Sequence, residues 1–234
     1  MKRYFFFLLF FVSFLGLSSC YEEPDFPMEP RLVGFDGEIG QGIRFVDVPN
    51  TQADSLIIRV RFEDGDGNLG VSSRESNPIL SEPIFYPLDN QGNYIRFNAA
   101  TDVFDCRNWD PVTIIDGDTI NDTIRIEFNP NFLNFEIDLY VKEESGYELF
   151  DFRAPPICRQ PLGGQFPPLK DNFENTKPLE GVIQYGFSSV ALINLFRNDS
   201  LKIAVRIRDR ALNVSNTIES EAFTLRDAET DTPQ

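Results

Sequence analysis

The amino-acid sequence predicts an all-β protein, and three features of the 234-residue chain support this. From about Arg31 onward, apolar and polar residues alternate, whereas helices would repeat apolar residues at intervals of three and four. Gly, Asn, Asp and Pro interrupt the alternation at short intervals, as turn residues do between strands. Asp116-Gly117 and Ser145-Gly146 lie between alternating segments, where tight hairpin turns favour residues that tolerate positive φ.

The alternation is clearest in the segments 55–62 and 201–208. One face of each segment is apolar, formed by Leu56, Ile58, Val60 and Phe62 in the first and by Leu201, Ile203, Val205 and Ile207 in the second. This period of two predicts half-buried strands. The two segments also match each other at a constant offset, and each continues into a loop that begins with Asp and ends with Asn. Two origins explain this match. Both segments meet the same local requirement, a strand that runs into an Asp-to-Asn loop, or the sequence contains an internal duplication.

Further strands are predicted between these two segments, at 84–87, 94–97, 112–115, 123–128, 135–142 and 147–152. The passage 155–168 begins and ends with paired prolines and contains two adjacent glycines. Such a composition interrupts regular structure, so we expect a loop or a hinge there.

The segment 209–216, followed by the alternating residues 218–225, resembles the closing hairpin of bacterial immunoglobulin-like domains, although Leu212 replaces their usual glycine. Together with residues 62–70, this pattern is similar to a family of Bacteroidota lipoproteins that carry an immunoglobulin-like β-sandwich with a long insertion. The resemblance implies a sandwich over residues 31–226. Because such a sandwich needs only about 100 residues, we expect a β-rich insertion at about 85–178, or alternatively a second small domain. Residues 227–234 are expected to be a disordered tail.

The first residues of the chain predict export and anchoring. Lys2 and Arg3 precede an apolar run at 4–17, and the sequence LSSC that ends at Cys20 resembles the lipobox of bacterial lipoproteins. The resemblance implies that residues 1–19 are a signal peptide and that Cys20 carries the lipid. An ordinary secretory signal or a single membrane span is the alternative, but polar residues end the run before the roughly 20 apolar residues that a span needs.

Residues 20–30 are acidic and rich in proline, which predicts an extended tether. The sequence YEEPD at 21–25 resembles the export signal that sends many Bacteroidota lipoproteins to the outer face of the outer membrane. The implied location is therefore the outer membrane, with the lipid as the membrane contact and the protein facing the cell surface. A solvated spacer without export information is the alternative.

The composition excludes several classes of function. The chain has no histidine, which removes Ser-His-Asp and Cys-His nucleophiles and most zinc sites. Its 37 acidic and 21 basic residues give a net charge of -16, so we expect no nucleic-acid partner. With Cys20 lipidated, Cys106 and Cys158 remain. In an exported protein such a pair favours a disulfide over two buried free thiols.

The sequence DGDGNLG at 64–70 is the sharpest candidate for a metal site. Asp64, Asp66 and Asn68 place oxygen-bearing side chains at alternate positions, and hard calcium ions are bound by six to eight such oxygens. Asp209 and Asn213 occupy the matching loop, so the two loops could share one ion if they meet. The alternative is a glycine-rich turn in which Asp and Asn bond their own backbone. Calcium is the only cofactor that the sequence suggests.

Trp109, the only tryptophan, lies three residues after Cys106 and could contact a ligand or pack beside the disulfide. The many acidic residues do not by themselves define a catalytic pair, because glycosidase chemistry depends on the distance between two carboxyl groups. We therefore expect a non-catalytic binding or accessory module with an unidentified protein or glycan partner. The alternatives are a glycan-binding lipoprotein beside an outer-membrane transporter and, less favoured, a carboxylate-dependent glycan hydrolase.

Overall fold

The computed structural model describes residues 24–37, 42–46, 55–115, 117–170, 176–188 and 190–225. Within them, every strand pair is antiparallel and the strands form two larger and two smaller sheets, which confirms the all-β prediction. Antiparallel neighbours need only short connections, which suits a chain so rich in turn residues.

The first large sheet is organised around β3. Its strands are β1 (Arg31–Phe35), β2 (Ile43–Val46), β3 (Ser55–Asp64) and β11 (Leu179–Ser188). β11 pairs with β3 over the full length of both strands, from Leu179 opposite Asp64 to Ser188 opposite Ser55. Because a strand has only two edges, β1 and β2 share the other edge of β3 in succession.

The second large sheet is organised around β8 and β12. Its strands are β8 (Phe135–Glu143), β9 (Gly146–Leu149), β10 (Gly163–Gly164), β12 (Leu201–Ile207) and β13 (Ile218–Glu219). β8 and β12 pair along the whole of β12, and β9 joins β8 through a tight hairpin in which Glu143 pairs with Gly146. The predicted turn is thus present, and its two central residues lie just before Gly146.

One hydrophobic cluster is formed by side chains of both large sheets. Its least exposed members lie at alternate positions of β3, β8 and β12, as the alternation predicts; they include Leu56, Ile58, Val60, Phe135, Leu139, Leu201, Ile203, Val205 and Ile207. Burying each such side chain contributes roughly 1.5–3 kcal/mol. Helix α2 (Val190–Phe196), which the sequence analysis missed, adds Leu192 and Phe196 from one face, because residues four apart in a helix point the same way.

The smaller sheets lie between β3 and β8 in the chain. β4 (Ile84–Phe85) pairs with β7 (Glu127–Phe128), and β5 (Trp109–Ile115) pairs with β6 (Asp118–Arg125) through a turn at Gly117, whose φ is +89°. The one-turn helix α1 (Pro78–Ser81) precedes β4. The segment expected to be an insertion, 85–178, therefore contains these small sheets but also β8, β9 and β10 of the second large sheet.

The predicted strands at 94–97 and 147–152 differ from the observed ones. Tyr94 pairs with Leu88 and Arg96 with Ile124, so the first segment changes its neighbour after a single pair and forms isolated bridges only. β9 ends at Leu149, after which the Phe150 and Phe152 rings pack edge to face against Phe196. Aromatic packing against α2 thus takes the place of further strand pairing.

Candidate functional site

The two Asp-to-Asn loops lie against each other. Leu69 and Asp209 form an antiparallel bridge between them. An ion pair of 2.6 Å between Arg210 Nη1 and Glu75 Oε2 adds a second link. We call the region formed by residues 64–70 and 209–213 the two-loop site. The condition that the sequence analysis set for a shared ion, that the loops meet, is therefore fulfilled.

The Asp64 carboxylate is the last of the side chains of β3 that face the core. It is the last residue of β3 and follows Phe62 at the strand period of two, so its side chain points to the same side as the buried apolar residues. Its exposed fraction is 0 %. Within the described residues, neither carboxylate oxygen of Asp64 has a hydrogen-bond partner.

The surroundings of Asp64 disfavour its charged form. Burial, followed by the negative charges of Asp66 and Asp209, raises the pKa of Asp64 from 3.8 to about 7. The Asn68 N–H, which bonds Asp66, and the Lys170 ammonium oppose this rise. An unpaired buried carboxylate is costly to fold, so this position calls for a proton or a cation.

In each loop an asparagine donates two hydrogen bonds to an aspartate carboxylate. Asn68 donates its backbone N–H to Asp66 Oδ1 at 3.1 Å and its side-chain Nδ2 to Asp66 Oδ2 at 2.9 Å. Asn213 donates in the same way to Asp209, at 2.7 and 2.8 Å. Asn68 Oδ1 is buried and, among the described residues, has no hydrogen-bond donor.

Burial also raises the pKa of the carboxylate in the second loop, Asp209. Asp209 is 2 % exposed, and its pKa is raised by burial, with a smaller contribution from the charge of Asp66, although its bonds to Asn213 act in the opposite direction. Lys170 Nζ donates to the backbone oxygen of Asp66 at 2.8 Å. The carboxylates of Asp64, Asp66 and Asp209 therefore influence one another.

The glycines of the first loop allow other segments to approach it closely. A Cβ on Gly67, whose φ is +61°, would lie 2.5 Å from the Lys177 backbone oxygen. Gly70 has a φ of +98°, and a Cβ there would clash with Pro167 and Pro168. Only glycine fits such positions without strain, so the loop is packed against segments of the chain that precede β11.

The side chains of the two-loop site are not arranged as a finished carboxylate cage. In the part of the chain that the structure describes, no three acidic or cysteine side chains converge closely enough to hold a metal ion. Calcium also accepts amide and backbone oxygens and tolerates irregular geometry. The residues at hand are thus a mixed set of carboxylate and amide oxygens: Asp64, Asp66, Asn68, Asp209 and Asn213.

Cys106 and Cys158 form a disulfide, as the cysteine count predicts. The bond joins residues 52 positions apart and ties the segment before β5 to the proline-rich passage. Trp109, at the start of β5, is 9 % exposed and packs edge to face on Phe97, with ring centroids 5.2 Å apart. Most of its ring surface is therefore used in packing.

Two clefts adjoin each other beside the disulfide. Their volumes are about 480 and 410 Å³, and both are lined by Phe128, Arg153 and Gln160. The Arg153 guanidinium lies 5.3 Å from the centre of the Phe128 ring, a cation–π contact that separates the two spaces. Trp109 and the disulfide line the smaller cleft.

The floor of the larger cleft is a row of ion pairs on the outer face of the second large sheet. Arg206 bonds Glu136 at 2.6 Å and Asp138 at 2.7 Å, and Arg208 bonds Glu136 at 2.8 Å. Sequence reasoning missed this row. The alternation of β8 and β12 places these residues outward, but only the strand register, with Arg206 opposite Glu136, brings them together.

Sequence reasoning also missed Lys170 as a neighbour of the two-loop site, because it comes from a segment whose approach depends on the fold. The lipidation candidate Cys20 lies outside the described residues. Among those residues, no helix combines the length and apolar character needed to cross a membrane. Comparison with family models, curated proteins and solved structures finds no match for this chain.

Proposed function

We propose that this chain is a lipid-anchored, non-catalytic binding module that uses calcium to stabilise one end of an immunoglobulin-like β-sandwich. The lipid at Cys20 attaches it to the outer membrane, and residues 20–30 carry the folded part toward the cell surface. Two large antiparallel sheets that contribute to one hydrophobic cluster support the sandwich. The export and anchoring part rests on the LSSC sequence at Cys20 and the acidic residues after it.

Asp64 is the single observation that carries the calcium proposal. Removing a carboxylate from water without a hydrogen bond or a counter-charge is unfavourable by several kcal/mol. Neither oxygen of Asp64 has a hydrogen-bond partner within the described residues, and the negative charges of Asp66 and Asp209 act on its carboxylate more strongly than the Lys170 ammonium does. A divalent cation converts this repulsion into attraction.

Calcium suits the site better than magnesium. Asp64, Asp66 and Asp209 supply carboxylates, Asn68 Oδ1 is buried and available, and Asn213 adds a second amide. Magnesium demands nearly ideal octahedral geometry and keeps several waters, whereas calcium accepts six to eight oxygens in flexible arrangements. The ligands proposed here come from two loops of unequal shape, and such an irregular arrangement suits calcium.

The adjoining clefts are where we place the partner of the module. They combine aromatic and apolar walls with a few charged groups, as ligand sites commonly do. Glu136 and Asp138, the paired carboxylates of the larger cleft, are both bonded to Arg206, which favours a binding role over acid–base catalysis. Trp109 is largely packed, so it offers little open ring face to a sugar.

Thermal unfolding with and without calcium tests the calcium part of the proposal. We expect calcium to raise the Tm of the wild-type chain, and Asp64→Asn to abolish this rise while raising the Tm of the calcium-free protein, because the unpaired charge is removed. Asp122→Asn, at an ion pair with Arg96 on the surface, is the matched control and should respond like wild type. An equal calcium response in wild type and Asp64→Asn would contradict the proposal.

Metabolic labelling with a fatty acid that carries a chemical tag tests the anchor. We expect the tag in wild-type protein and in Cys106→Ser, and no tag in Cys20→Ala. Unlabelled wild-type protein, or label that persists in Cys20→Ala, would contradict lipid attachment at Cys20.

A further inference from the structure

The end of the tether is docked on the first loop of the two-loop site. Gly65 donates its N–H to the backbone oxygen of Pro27 at 2.8 Å. A Cβ on Gly65 would lie 2.5 Å from the backbone oxygen of Phe26 and 2.7 Å from that of Pro27. Any larger residue at Gly65 would therefore displace the tether, and this close approach depends on glycine at this position.

The start of β1 is held by the segment that follows the second loop. Asn216, three residues after Asn213, accepts the Leu32 N–H on its Oδ1 at 2.9 Å. Its Nδ2 in turn donates to the Leu32 backbone oxygen at 3.0 Å. One side chain thus satisfies both backbone groups of Leu32, as a neighbouring strand would.

The first loop therefore holds the N-terminal segment at Pro27, and Asn216, three residues beyond the second loop, holds it at Leu32. Residues Phe26 and Pro30 between the anchor and β1 are partly or fully buried, so the segment is packed as well as hydrogen-bonded. An ion that draws the loops together would tighten both attachments at once.

We propose that calcium bound at the two-loop site locks the tether onto the folded module and so fixes the orientation of the module on the membrane; this rests on the calcium binding and the lipid anchor proposed above. Without calcium the loops relax, and the segment that precedes β1 is released as additional tether.

The chain length sets the size of this effect. Seven residues separate Cys20 from Pro27 and can span at most about 25 Å. Pro30, the last residue before β1, is ten positions from Cys20, and the limit for that length is about 36 Å. The two-loop site is thus the end of the module nearest the membrane. With calcium bound, the shorter tether holds that end close to the membrane; without calcium, the longer tether lets it move farther away.

Amide hydrogen exchange in the purified full chain tests this coupling. We expect calcium to slow exchange of the Gly65 and Leu32 N–H groups at least tenfold relative to EDTA. The Asn131 N–H, which bonds the Asn129 side chain in another part of the molecule, is the internal control and should change much less. Tm, measured on the same samples, reports calcium binding independently.

Two variants separate docking from metal binding. Asn216→Ala removes both hydrogen bonds to Leu32 and no residue of the two-loop site, so we expect it to keep the calcium-dependent rise in Tm and the calcium protection of the Gly65 amide but to lose calcium protection of the Leu32 amide. Asn93→Ala, which removes an exposed side chain that contacts Asp89, is the matched control and should behave like wild type.

Three outcomes decide the question. Slower exchange at Gly65 and Leu32 with an unchanged Asn131 supports the coupling. A calcium-dependent rise in Tm with unchanged exchange at Gly65 and Leu32 overturns the coupling and leaves calcium binding in place. No rise in Tm at millimolar calcium overturns the coupling together with the calcium site.

Discussion

At the residue scale, Asp64 is where the strand pattern and the chemistry conflict. The period of two that buries Leu56, Ile58, Val60 and Phe62 also carries the next member of the row, Asp64, out of water. A carboxylate in that position stores unfavourable free energy in the metal-free protein. In the calcium-binding proposal a bound ion relieves this cost, so the same residue would destabilise the empty site and stabilise the filled one.

The free energy of unfolding of the calcium-free protein should therefore depend on the protonation of Asp64. Because its folded pKa of about 7 lies above the ordinary 3.8, the native state holds this proton more tightly than the unfolded state. The contribution of Asp64 to the free energy of unfolding is complete below pH 3.8. It is lost as the pH rises toward about 7, by roughly 4 kcal/mol in all.

Denaturant unfolding of wild type and Asp64→Asn in EDTA, compared across that pH range, isolates the Asp64 contribution. We expect Asp64→Asn to gain stability relative to wild type as pH rises. A difference between the two proteins that stays constant with pH would show that Asp64 titrates normally.

The asparagine of the second loop should matter more than a similar one on the surface. Asn213→Ala removes the side-chain bond to the buried Asp209 carboxylate, so we expect the free energy of unfolding to fall by about 1–3 kcal/mol. Asn93→Ala, whose side chain contacts the exposed Asp89 at 3.4–3.5 Å, is the control and should cost well under half of that. Equal losses would argue against the burial of the two-loop site.

At the element scale, alternation along β3 predicts how substitutions should behave. Ile58 is fully buried in the shared core, whereas its neighbour Ile57 points to the opposite face and is only partly buried. We expect Ile58→Ala to lower the free energy of unfolding by about 2–5 kcal/mol and Ile57→Ala by much less. Chemical denaturation of both variants measures this directly, and a reversed order would place the core on the other face of β3.

The disulfide should stabilise the region of the small sheets. Replacing Cys106 and Cys158 by serine opens a closed loop of about 50 residues, and such loops typically contribute 2–4 kcal/mol. Hydrogen exchange in β5 and β6 should quicken, while that of β3 and β12 changes little because their core lacks this bond. Uniform loss of protection across all strands would contradict this division.

Sequence reasoning found the strands whose two faces differ. β3, β8 and β12 were predicted because each has one fully apolar face. β11 was missed because LEGVIQYGFS lacks a regular alternation; it is an outer strand of its sheet and largely exposed. α2 was missed because its apolar run of seven residues is too short to show a helical period.

The candidate site was predicted in part for a similar reason. Asp64, Asp66, Asn68, Asp209 and Asn213 follow two strands of matching sequence, so their chemistry is visible in the chain. Lys170 and the Pro27 backbone reach the site only through the packing of distant segments. No local pattern marks such residues in advance.

At the scale of the whole molecule, the buried carboxylates lie at the same end as the contacts that hold the N-terminal segment. The buried carboxylates and the Gly65 contact with Pro27 belong to the two loops, and the Asn216 contact with Leu32 lies just beyond the second loop. The clefts lie elsewhere, against the small sheets and the outer face of β8 and β12. The two-loop site and the clefts, to which we assign the anchored end and the partner surface in our proposal, therefore lie in different parts of the molecule.

Calorimetric titration of calcium into the purified chain, at physiological salt to screen weak binding by the acidic surface, tests the central claim most directly. We expect one calcium ion per chain in wild type and in Asp122→Asn, and no saturable binding in Asp64→Asn combined with Asp66→Ala. Absence of saturable binding to wild type at millimolar calcium, or undiminished binding to the double variant, would contradict the account.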